Sequence, residues 1–221
     1  MGTLQFIASN LPLIGTLTLQ HLAVVIVAVA LAVLTGVPIG IAITQNARVA
    51  RFVMSAAAML MTIPSIALFG LMIPLLSLIG QGIGYLPAVL ALFLYSQLPI
   101  IRNAYAAITN VDPALREAAR GMGMTTFQRL ARVEIPIAVP LIMAGVRIAV
   151  VINIGIAAIA TYIGAGGLGT LISRGITQSD PRQLIAGALI VSALAVIADY
   201  GLLWIQKKLT PPGMRVQSEF V

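Results

Sequence analysis

The sequence predicts an all-α polytopic membrane protein with five transmembrane helices. Three observations predict it. Hydrophobic residues make up 60% of the 221 and charged residues only 9%; the mean hydropathy is +1.05; and the apolar residues fall into long blocks separated by short polar stretches that carry arginine. Soluble chains hold about 25% charged residues, whereas a helix crossing hydrocarbon needs roughly 20 apolar residues in a row. The chain has no cysteine, which excludes disulfides, thiol catalysis and cysteine metal sites. Its net charge of +7 would suit nucleic acid in a soluble protein. In a membrane chain such a charge reports orientation, and no nucleic-acid partner is expected.

Taken in order, residues 1–20 contain no Lys or Arg, so the basic region of a cleaved signal peptide is not expected. Asn10, Pro12, Thr16 and Thr18 read as an interfacial lead-in. The first span covers about 22–44, where Gly36 and Gly40 form a small-xxx-small pair that admits a close neighbour, with a local bend from Pro38 as the other reading. Arg48 and Arg51 sit in the next polar loop. The second span, about 52–79, is broken by Pro64 and Pro74, since a proline frees a carbonyl and kinks a membrane helix. Thr62, Pro64 and Ser65 are therefore expected at a kink facing the bundle interior, with a place on a solute path as an open alternative. The third span is about 86–101, after which Arg102 and Asn103 lead into a loop. The fourth, about 137–163, carries Arg147 and Asn153. A glycine-rich polar stretch follows, with a short helix near 168–173, and the fifth span, about 184–205, carries Asp199.

The loop of residues 111–136 is the longest polar interruption. Asp112 before Pro113 is a helix start, an acceptor at the N-cap and a proline at the first helical position. The helix should close at Gly121-Met122-Gly123, where glycine tolerates a left-handed turn. Thr125 and Gln128 read as a capping box for a second helix that Pro136 terminates. The loop thus predicts a helix–glycine–helix unit outside the membrane, inside a single membrane domain spanning 1–221.

The spacing within this loop resembles a known family. Glu117-Ala118-Ala119, three residues, Gly123, nine residues and Val133-Glu134-Ile135-Pro136 are similar to the EAA loop of bacterial ABC importer permeases, written EAA-x3-G-x9-I-x-L-P, with Val133 for Ile and Ile135 for Leu. The blocks TIPSIALFG (62–70), ALFLYSQLPIIRNAY (91–105) and INIG…GAGGLGTLISRGI resemble more narrowly the permeases for glycine betaine, choline and related osmoprotectants. The resemblance implies the type I ABC importer (MetI-like) permease fold in a bacterial cytoplasmic (inner) membrane. It also implies that the loop is a cytoplasmic coupling helix docking on an ATPase, with Glu117, Ala118, Ala119 and Gly123 at the contact and Glu134 and Pro136 completing the loop. The implied partners are two ABC ATPase subunits carrying ATP and Mg, an extracytoplasmic substrate-binding protein, and a second permease copy, identical or related. No cofactor is expected on this chain. The implied solutes are quaternary ammonium osmoprotectants such as glycine betaine, choline or carnitine. The alternative is another small solute, an amino acid such as methionine.

Charge counting predicts orientation independently. Arg48, Arg51, Arg102, Arg116, Arg120, Arg129, Arg132, Lys207, Lys208 and Arg215 fall on one side of the five spans, and Arg174 and Arg182 on the other. Basic residues collect on the cytoplasmic side, so the loop and C-terminus are expected inside and the N-terminus outside. Gly164 to Gly169 matches G-x-G-x-x-G, but a dinucleotide site needs a preceding strand; a tight turn is the better reading. The sole histidine, His21, has no companion ligands and reads as an interfacial or buried, hydrogen-bonded side chain. Arg147 and Asp199 lie at comparable depth, and charges within a span pair or face a cavity. A structural ion pair is the favoured reading and a cavity-lining role the alternative. No convergent set of nucleophile, base or paired carboxylates appears, which argues for a transport subunit over an intramembrane enzyme.

Overall fold

The computed structural model describes residues 2–210, all of whose regular elements are helical. The expected loop-side residue Arg215 lies outside the described residues. A short helix α1 (Thr3–Ser9) leads into α2 (Leu11–Ala42). The region expected as an interfacial lead-in is helical because Pro12 occupies the first turn of α2, where the missing N–H costs nothing. The Thr16 and Thr18 hydroxyls bond back to the carbonyls of Pro12 and Ile14 at 3.1 and 2.8 Å. Pro38 stays inside α2.

Next come α3 (Ala47–Thr62), capped by the Asn46 side chain, and α4 (Ser65–Ser77). The expected single span over 52–79 is not one helix: α3 and α4 meet at 99°. The cause is local. The residue before a proline is pushed out of the helical region, and Ile63 is extended (φ −69°, ψ 125°). Its freed carbonyl accepts from the Tyr95 hydroxyl, so the broken backbone is satisfied within protein, as an apolar surrounding demands. Pro74 does not break α4.

Helix α5 (Tyr85–Thr109) runs past Arg102 and Asn103, which therefore lie within a helix. Beyond it are α6 (Pro113–Gly121), α7 (Thr126–Arg129), a π-helical turn (Leu130–Glu134) and α8 (Ile135–Ala157). Pro136 does not terminate the second loop helix. It sits in the first turn of α8, and the chain stays helical from Thr126 to Ala157. The wide turn accommodates it: the Ile135 N–H reaches the Leu130 carbonyl, just where Pro136 has no N–H and its ring would crowd an ordinary turn. A 3₁₀ turn (Ile159–Ile163), α9 (Gly169–Thr177) and α10 (Pro181–Leu209) complete the fold. Asp180 caps α10, accepting from the Arg182 N–H at 3.1 Å. The Arg182 guanidinium holds the Asp180 carboxyl down at about 2, so this cap is complete above pH about 4 and is lost as pH falls towards 2.

Among the described residues four helical stretches are long and apolar enough to cross a membrane, and the bent α3–α4 pair, taken as one span, makes a fifth. Helix α5 is the centre, with Ala88, Ala91, Leu92, Ile100 and Ala104 fully enclosed. Glycines on its neighbours allow this. A Cβ at Gly40 would lie 2.6 Å from the Ala104 Cβ and 2.7 Å from the Ile101 carbonyl oxygen; one at Gly145 of α8 would lie 2.7 Å from the Pro99 carbonyl oxygen. In lipid, where apolar burial gives little drive, such close backbone approach is the main source of helix association. Outward-facing Leu19, Ile26, Leu34, Val196 and Ile197 are exposed, as suits hydrocarbon contact.

Gly40→Val is expected to force α2 off α5 and cost about 1–3 kcal/mol, the usual penalty of overpacking. Gly70→Ala, with open space around it, is expected to be close to neutral. Thermal unfolding of the two purified proteins in detergent checks this; equal melting temperatures would exclude Gly40 as the point of closest packing.

Candidate functional site

The loop is an ordered unit whose caps follow from its sequence. The Asp112 carboxylate accepts from the Ala114 N–H at 2.9 Å. At the other end of α6, the Met124 N–H reaches the Ala119 carbonyl at 3.1 Å and the Gly123 N–H reaches that of Arg120 at 2.9 Å. This is the Schellman closure, which requires the left-handed backbone that Gly123 adopts (φ 77°). Thr125 and Gln128 exchange both capping-box bonds, at 3.3 and 2.9 Å.

The two faces of this unit differ. Glu117, Ala118 and Gly123 are exposed, together with Leu115, Met122 and Phe127, the last 77% exposed. The sequence reading missed these three apolar side chains as part of the surface. Their signal was present, as apolar residues in an otherwise charged loop outside any span. The face behind them is closed. Ala119 is buried and Glu134 is only 4% exposed, so Ala119, unlike Glu117 and Ala118, turns away from the exposed face on which the resemblance placed it. Pro136 is half-buried in α8. The helical period places Ala119 inward, while Glu134 is drawn in by arginines: Arg129 Nε donates to it at 2.7 Å and Arg116 Nε lies 3.6 Å away.

Among the intramembrane polar residues the structure brings Arg147 and Asp199 together. Arg147 Nε and Nη2 donate to Asp199 Oδ1 and Oδ2 at 2.9 and 3.0 Å, and Nη1 donates to Gln206 Oε1 at 3.2 Å. A bidentate guanidinium–carboxylate pair has the strongest geometry available to two side chains. The pair also lines a cavity of about 460 Å³ with Ala144, Ile148, Val151 and Ile152, so the ion pair and the cavity-lining readings describe two sides of the same residues.

The other candidates do not converge. Asn153 is fully buried in the α5–α8 seam, donating to Ser96 Oγ and to the Leu92 carbonyl. Thr62 and Pro64 are exposed and Ser65 half-buried, with the Thr62 hydroxyl turned back onto the Met59 carbonyl at 2.7 Å. Within one chain the kink expected to face the interior is thus turned the other way at Thr62 and Pro64. The break points its proline outward, and Asn153 is consumed by helix–helix bonding.

Sequence reasoning left open how His21 and the glycine stretch are used. His21 Nε2 lies 2.9 Å from the Ile154 carbonyl, and the neighbouring Gln20 accepts from the Gly167 N–H at 3.1 Å. Gly164, Gly166 and Gly167 all have positive φ, a turn with no strand before it. Among the described residues no group of His, Asp or Glu is arranged to hold a metal.

The described residues thus hold a set of helices long and apolar enough to cross a membrane and a capped helical unit after α5. The comparisons agree. The family model for the binding-protein-dependent transport system inner membrane component matches residues 36–211, and the chain belongs to that family. It is thus a membrane permease of an ABC importer. It is 55% identical to the osmoprotectant import permease protein OsmW of Salmonella typhimurium over 97% of this chain and 100% of that one. It is 41% identical to the glycine betaine/carnitine/choline transport system permease protein OpuCB of Bacillus subtilis, over 90% of each. In structure it resembles an inward-facing form of the MetNI methionine ABC transporter, with a TM-score of 0.83, 24% identity, and 92% of this chain and 99% of that one covered.

Removing one member of the Arg147–Asp199 pair is expected to cost more than removing both. Each single change, Arg147→Met or Asp199→Leu, leaves a charge without its partner, at about 1–3 kcal/mol, discounted because the side chains are 22% and 36% exposed. A double-mutant cycle on melting temperature checks it: strictly additive losses would show that the pair contributes nothing as a pair.

Proposed function

We propose that this permease forms the solute path of an ATP-driven importer of quaternary ammonium osmoprotectants, with glycine betaine, choline and carnitine as the solute class. The observation that carries this reading is the 55% identity to an osmoprotectant import permease along the whole of that protein. Relatives named for glycine betaine, carnitine and choline, at 41% and 40% identity, support it. The methionine transporter is a likeness of fold alone.

The rest of the machine follows from the same reading. Helix α6 and the turn after it are the ATPase contact, presenting Glu117, Ala118 and Gly123 with the apolar Leu115, Met122 and Phe127. Two ATPase subunits carry ATP and Mg, and this chain binds neither. Among the described residues Arg48, Arg51, Arg102, Arg116, Arg120, Arg129, Arg132, Lys207 and Lys208 fall on the side of that loop by their order between the spans, which the positive-inside rule makes cytoplasmic. A substrate-binding protein delivers solute to the opposite face, beside the glycine turn held by Gln20. A second permease copy completes the path. It covers the half-exposed surface that carries the Arg147–Asp199 cavity, since charges in a span face protein or water. A methylated nitrogen needs little hydrogen bonding, so a weakly polar path suffices for such a solute.

Uptake of labelled glycine betaine, choline, carnitine and methionine by the reconstituted complex with its binding protein tests the solute class. Transport of at least one quaternary amine and none of methionine is expected; the reverse result would refute the assignment. Gly123→Trp tests the contact. A side chain there is strained by the positive φ and projects into open space, so transport is expected to fall while the helical content stays. Normal transport with the ATPase subunit still bound would remove Gly123 from the contact.

A further inference from the structure

Behind the exposed face of α6 lies a junction at which one carboxylate oxygen joins the loop to the membrane helices. Glu134, the last residue of the π turn and directly before α8, is 4% exposed. Its Oε1 accepts from Arg129 Nε at 2.7 Å and lies 3.6 Å from Arg116 Nε. Arg116, on α6, also donates through Nη2 to the carbonyl of Ile108 in the last turn of α5. Arg116 thus stands between the last turn of α5 and the π turn that leads into α8, and Arg129 ties α7 to the same acid.

A carboxylate this deeply buried is tolerated only when paired, and leaving it or its arginines alone is costly. The junction therefore resists partial opening. The loop unit has no other slack, since the Asp112 cap, the Gly123 closure and the Thr125 capping box hold it at each turn. A displacement applied to the outer face of α6 reaches the end of α5 and the start of α8 through Arg116 and Glu134. The loop joins α5 through the non-helical turn at 110–112 and α8 through the wide turn at Leu130–Glu134, and wide turns of this kind recur at functional positions.

We propose that Glu134, with Arg116, is a positioning pair for energy coupling: a buried strut that carries movement of α6 into α5 and α8, and not a contact to the ATPase. This rests on the reading of α6 as the ATPase-contacting helix.

The test uses the whole complex in proteoliposomes. Glu134→Gln is expected to retain the ATPase subunit through purification. Stimulation of ATP hydrolysis by solute-loaded binding protein, and uptake with it, is expected to drop about fivefold to tenfold, the scale on which residues between coupled sites act. The reciprocal exchange Glu134→Arg with Arg129→Glu is expected to restore part of the stimulation, which a space-filling role would not. Arg116→Gln leaves the Arg129–Glu134 bond in place and is expected to uncouple likewise; it carries the test if Glu134→Gln does not accumulate in the membrane. Unchanged stimulation in whichever of these variants accumulates overturns the strut. Loss of the ATPase subunit from Glu134→Gln also overturns it, because that would mark a direct contact. A Leu115→Ser, Glu117→Gln, Phe127→Ser triple variant separates the two readings. If it kept the ATPase subunit and transported fully, the assignment of α6 as the contact would fail, whatever the Glu134 variants do.

Discussion

The enclosure of α5 is the constraint on which the rest of the molecule depends. A helix within hydrocarbon gains little from burying apolar surface, because lipid tails are as apolar as leucine, and must be held by close backbone contact. Gly36 and Gly40 of α2 and Gly145 of α8 provide that contact, at distances where a Cβ would collide with α5. Once α5 is held, its buried polar side chains have fixed partners: Ser96 for Asn153, the Ile63 carbonyl for Tyr95, and Thr35 for Gln97. The α3–α4 break is stable for the same reason, its loose carbonyl being met from α5.

The end of α5 also determines where the loop unit stands. Arg116 bonds the Ile108 carbonyl, Ala119 turns inward, and Glu134 collects Arg129 and Arg116. The polar face that looks from the sequence like a solvated, contact-making surface is thus divided. Its charges split between an outer face, where Glu117 is free to meet a partner, and an inner face where arginines are spent on the protein itself. The outer face also carries the exposed apolar side chains of Leu115, Met122 and Phe127.

Much of this was legible in the residues. The caps at Asp112, Gly123 and Thr125 are local devices, set by hydrogen bonds over three to five residues, and each forms as its sequence pattern predicts. The apolar blocks marked the membrane-crossing helices, and these helices run beyond the blocks through polar residues such as Thr16, Arg102 and Asn103, because tertiary packing holds them there. Pro12, Pro74 and Pro136 misled where Pro64 did not. A proline in a first turn, at a tolerated interior site or beside a π turn costs the helix little, and sequence alone does not distinguish these settings from a break.

What the sequence by itself determined is what depends on composition and short spacing: a helical membrane protein, its local caps, the asymmetry of its basic residues, and the family to which the loop spacing belongs. The tertiary structure decided which side of each helix is used. The break at Pro64 turned Thr62 outward, the α5–α8 seam took up Asn153, and two arginines drew the loop residue Glu134 out of solvent. It also closed Arg147 on Asp199, residues far apart in the chain whose matched depth was readable but whose rotation about their helices was not. Depth follows from counting along one helix, whereas facing depends on which neighbour packs against it, and that is settled only when the helices meet.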